Sequence, residues 1–131
     1  MTDEHVVTVY GTPVMVCAPD GLPLDTDGAA TELVGEAIGQ RAEIVVVPTE
    51  RLTDDFFDLD TGTANAFAQK FGTYRVRLAV VGDIAQRVAD SERLSRWVDD
   101  SNLGRDLWFC ATFDAFQARL DRRRPTSPMR P

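Results

Sequence analysis

The chain has 131 residues, 44% hydrophobic and 27% charged, with a formal net charge of −7. That length fits one domain with its own core, needing no staples. The tail from Asp121 holds four arginines and one aspartate, so the residues before it sum to −10, a body that repels phosphate backbones and argues against nucleic-acid binding.

Cys17 and Cys110 lie far apart, no CxxC spacing occurs, and His5 is the one histidine. A disulfide framework is excluded and structural zinc lacks ligands, so the cysteines read as reduced core residues and no metal or other cofactor is expected. The opening MTDEHVV is polar and acidic, unlike a secretory leader, and no apolar run approaches membrane-spanning length. A cytoplasmic location away from membranes is expected.

His5 to Tyr10 and Pro13 to Cys17, split by Gly11-Thr12, predict an antiparallel hairpin at one sheet edge, the edge through which a self-associating domain would pair with a second copy. Ala18 to Asp27 is a loop rich in Pro, Asp and Gly, and Asp25, Thr26 or Asp27 caps the helix that follows. Ala30, Leu33, Val34, Ala37 and Ile38 make one face of that helix, which Gly39 ends. Glu43 to Pro48, with its unbroken apolar run Ile44 to Val47, reads as a strand covered on both faces.

Thr49 to Gly62 then reads as a loop carrying Phe56 and Phe57. A second helix begins near Asp60 or Thr61 with Ala64, Phe67, Ala68 and Phe71 inward, and Tyr74 to Val81 is a central strand closed by Gly82-Asp83. Ser91 caps a third helix bearing Leu94, Trp97 and Val98. Asn102 to Arg105 is a turn, Leu107 to Ala111 the last strand, and Thr112 the cap of a fourth helix bearing Phe113, Phe116, Gln117 and Leu120. The order ββαβαβαβα predicts a single α/β domain over residues 1–120, with a mixed, mostly parallel sheet and about four helices. Residues 121–131, with their arginines beside Pro, Thr and Ser, read as a disordered basic tail.

LTDDFFDLDTG before the second helix and YRVRLAVVGD after it, with KF and SN-GR, resemble the bacterial family DUF4180 from about Gly28 to Leu120. That family carries no established activity. At fold level the chain also resembles STAS domains, the modules of anti-anti-sigma factors and sulfate-transporter tails. There a DSSG-type loop presents a serine at a helix start for phosphorylation by a partner kinase. Asp58-Leu59-Asp60-Thr61-Gly62 occupies that place here, so the resemblance makes Thr61 the candidate phosphosite. Threonine for serine, the acid before it and the two aromatics upstream depart from the STAS pattern.

From the residues themselves, Asp60 or Thr61 either simply caps the helix or offers a switch, since phosphate at a helix start meets unpaired amides and a favourable dipole. Phe56 and Phe57, if extended, point opposite ways, leaving either one exposed as a hydrophobic anchor ringed by Asp54, Asp55 and Asp58, or both buried. Asp83, at the sheet end of Asp58, is either a turn cap or a partner for it in a ligand crevice. Arg75, Arg77 and Arg105 are expected to pair with surface acids, the two strand arginines at the opposite sheet end. No catalytic set assembles. The expected function is therefore a STAS-like regulatory module that binds a protein partner through Phe56, Phe57, Asp58, Asp60, Thr61, Gly62, Gly82 and Asp83. The alternative is a small-molecule binder or weak enzyme using Asp58 and Asp83.

Overall fold

A computed structural model describes residues 5–123. Five strands lie in chain order across one sheet: β1 (His5–Val9), β2 (Thr12–Val16), β3 (Ile44–Pro48), β4 (Arg77–Val81) and β5 (Leu107–Cys110). β1 pairs antiparallel with β2 at the edge, as the hairpin pattern predicts, and β2 to β5 are parallel. His5 opens β1, at the start of the predicted hairpin.

Four longer helices, α1 (Asp27–Gly39), α3 (Thr63–Thr73), α5 (Glu92–Leu103) and α6 (Phe113–Arg123), accompany two short ones, α2 (Asp54–Phe57) and α4 (Ala85–Asp90). The element order matches ββαβαβαβα once the two short helices are set aside. Strands joined in sequence by crossovers of one hand place their helices on one face. Accordingly Leu33 and Val34 of α1, Phe67 and Phe71 of α3, and Leu94 and Val98 of α5 share one core with Met15, Val45, Leu78 and Phe109. On the opposite face α6 packs Phe116 and Leu120 over Val14, Ile44, Ala79 and Trp108.

The helix starts follow their capping chemistry. The Thr26 hydroxyl accepts from the Ala29 amide, Ser91 from Leu94 and Thr112 from Ala115. Five expectations change. β4 begins at Arg77 and not at Tyr74, because Arg75 turns the chain at φ +58°. α5 runs through the predicted turn as far as Leu103. α6 continues to Arg123, past the predicted start of the tail; the rest of that tail lies outside the described residues. Ile38 is 49% exposed, because at the helical period it stands roughly 90° from the centre of the buried stripe. The Thr49–Gly62 connection, expected as an open loop, is a chain of tight turns: Thr49–Arg51 and Leu59–Thr61 are 3-10 turns flanking α2. Cys17 and Cys110 are buried and in no disulfide.

Candidate functional site

The connection after β3 is closed from within. α2 is helical where an extended segment is expected, so Phe56 and Phe57 do not splay to opposite sides, and both are buried. Phe56 meets the rings of Phe57, Phe67 and Trp97 edge-on, with centroids 5.1, 5.8 and 6.4 Å away. Phe57 is roofed by Arg87 of α4, whose guanidinium carbon lies 4.4 Å from the ring centroid and which also pairs with Asp54 at 2.6 Å. The exposed phenylalanine anchor is therefore not present. α4 buries none of its own residues, so apolar periodicity gives no sign of the helix that supplies this roof.

Arg51, unremarked in the sequence reading, ties this connection to the loop after β2. It is 5% exposed. Its Nε donates to the Leu22 carbonyl at 2.7 Å and its Nη1 to those of Ala18 and Asp20 at 2.9 and 3.2 Å. The Arg51 carbonyl accepts from the Leu24 amide at 2.7 Å, and buried Asp25 accepts from both the amide and hydroxyl of Thr53. A buried guanidinium that keeps its charge needs such acceptors, and here backbone carbonyls serve where a carboxylate is usual. The sequence marks it only as an arginine three residues past the end of an apolar strand.

Asp58 and Asp83 are both exposed, and each is occupied locally: Asp58 accepts from the Asp60 amide, Asp83 from the Ala85 amide. Neither lines any of the cavities described here. Asp60 pairs with Arg93 at 2.5 Å. Gly82, at φ +153°, sits against Thr49; a Cβ there would come within 2.1 Å of the threonine hydroxyl oxygen, so this glycine fits the two connections together.

Thr61 is exposed but does not cap α3 in the expected way. The cap position belongs to Gly62 at φ 76°, a left-handed backbone that glycine adopts without steric cost. The Thr61 hydroxyl lies 2.7 and 2.8 Å from the carbonyls of Asp55 and Asp58, to which it donates, and accepts from the Thr63 amide at 3.2 Å. It locks the 3-10 turn and satisfies one amide at the start of α3.

Thr61 borders a cavity of about 240 Å³ between the starts of α1 and α3, with Thr26, Asp27, Gly62, Thr63 and Lys70. Lys70 bonds Asp27 at 2.6 Å and the Thr31 hydroxyl at 2.8 Å, bridging the two helices. Lys70 also borders a second hollow of about 250 Å³ further along the same pair of helices. Its walls include Val34, Gly35 and Ile38 of α1, and Tyr74 at the end of α3. Ile38 and Tyr74 are 49% and 59% exposed, two of the five large hydrophobic side chains left open on the surface among the described residues.

Among the described residues no group of three or more His, Cys, Asp or Glu is placed to hold a metal ion, and no helix is long and apolar enough to cross a membrane. Fold and site together define a single-sheet α/β domain with a filled carboxyl pole and a groove between its first two long helices. A family model described as Domain of unknown function (DUF4180) matches residues 9–120, and the chain belongs to that family. No curated protein and no solved structure matches it.

Proposed function

We propose that this chain is a STAS-like regulatory domain of the cytoplasm that binds a protein partner along its α1–α3 face. The observation that carries the reading is the pair Ile38 and Tyr74, both open to solvent on the walls of one hollow. Aliphatic and tyrosine side chains exposed around a concavity, with polar Thr31 and Lys70 at its border, have the make-up of an interface centre. The acidic body favours a partner whose contact surface is basic.

Thr61 supplies a means of switching that face. A phosphoryl group on its oxygen adds a charge of roughly −2 and removes the O–H that holds the Asp55 and Asp58 carbonyls. The turn before α3 then loosens, and the new charge competes with Asp27 for Lys70 in the shared cavity.

The test places a photo-crosslinking residue at Tyr74 in cells that make the protein, with a second at Arg96 on α5 as control. One discrete protein adduct is expected at position 74 and none at 96. Ile38→Asp should abolish the adduct, and Thr61→Glu should change its yield several-fold. Absence of an adduct at 74, or the same adducts at both positions, contradicts the proposal.

A further inference from the structure

A separate cluster lies at the opposite pole, where the parallel strands begin. Arg75 sits in the turn between α3 and β4, Arg77 opens β4, and Arg105 stands in the turn before β5. The register Leu78↔Leu107 brings those turns side by side. With Gly72, Val76 and Asp106 the three arginines line a hollow of about 300 Å³. Arg77 is oriented within it: its Nε donates to the Arg105 carbonyl at 2.9 Å, and its guanidinium carbon lies 4.8 Å from the Trp108 ring centroid.

On so acidic a chain the expected fate of exposed arginines is pairing with carboxylates. Arg75 and Arg105 depart from it, for neither forms an ion pair among the described residues. Two guanidinium charges without an ion pair, Arg75 and Arg105, share the hollow with a single carboxylate, Asp106. The end of α3 adds about half a negative charge, which leaves the hollow net positive. Arg75 also holds φ +58° just past the end of α3, where glycine or asparagine is usual. Glycine would fill this position with less strain.

We propose that this hollow binds a small polyvalent oxyanion, phosphoryl or carboxylate, at a site independent of the α1–α3 face. Guanidinium groups present paired donors that match either chemistry. A volume of about 300 Å³ lies at the lower end of small-molecule sites, and the acidity of the rest of the chain disfavours a long nucleic acid.

The experiment titrates pyrophosphate and, separately, citrate into the full chain at ionic strength held constant with sodium chloride, following melting temperature and tryptophan fluorescence. A ligand that binds only the folded chain raises the melting temperature saturably, and the anion with the lower midpoint identifies the class. Arg75→Gly removes a charge while relieving the positive φ, so this variant keeps its fold. Its midpoint should rise about tenfold or more, as should that of Arg105→Ala. Arg96→Ala, whose residue does not line the hollow, should leave the midpoint unchanged. No saturable response to either anion, or a response equally strong in Arg75→Gly and Arg105→Ala, overturns the proposal.

Discussion

The two poles of the sheet are built on opposite principles. At the carboxyl pole charge is neutralised and space is filled: carbonyls surround Arg51, Thr53 engages Asp25, Asp54 pairs with Arg87 and Asp60 with Arg93. At the amino pole Arg75 and Arg105 share a hollow without an ion-pair partner among the described residues. Ligands of open α/β sheets usually gather where the strands end. Here that end is closed by α2 and its flanking turns, and the open surfaces lie beside α1 and α3 and where the strands begin. A carboxylate at a strand end marks a site only if the chain leaves room beside it.

Two substitutions measure how firmly the carboxyl pole is closed, both read by urea unfolding. Phe56→Ala has the larger expected effect. Its ring is fully buried and meets three other aromatic rings, so truncation should cost about 3–5 kcal/mol. A cost near 1 kcal/mol would mean that α2 is loosely attached. Arg51→Met keeps most of the side-chain volume but strands the Ala18, Asp20 and Leu22 carbonyls, and should cost about 2–3 kcal/mol. A neutral result would show that water replaces the guanidinium readily, and the contrast between the poles would weaken.

Much of the fold was legible because it rests on local signals. Unbroken apolar runs gave β3 and the inner part of β4, helical spacing gave α1, α3, α5 and α6, and hydroxyl caps marked Thr26, Ser91 and Thr112. α2 and α4 escaped because four and six residues are too few to express a period. The candidate site was less legible. Adjacent phenylalanines splay in a strand but not in a helical turn, so one wrong local conformation offered an exposed ring as an alternative to burying both. The place of Arg51 depends on carbonyls 29 to 33 residues away in the chain, and no local pattern reports that. Arg75, Arg77 and Arg105 were visible as residues, but whether acids answer them is decided by packing.

The closed carboxyl pole is the claim on which the rest depends, and amide hydrogen exchange addresses it without knowledge of any partner. The Leu24 amide donates to the Arg51 carbonyl and the Thr53 amide to the Asp25 carboxylate; both lie outside helices and strands, where amides ordinarily exchange fast. Their exchange is predicted to be slow, approaching that of the β3 amides, because opening them requires the two connections to separate. Exchange as fast as that of exposed turn amides would contradict the account and reopen this pole as a recognition surface.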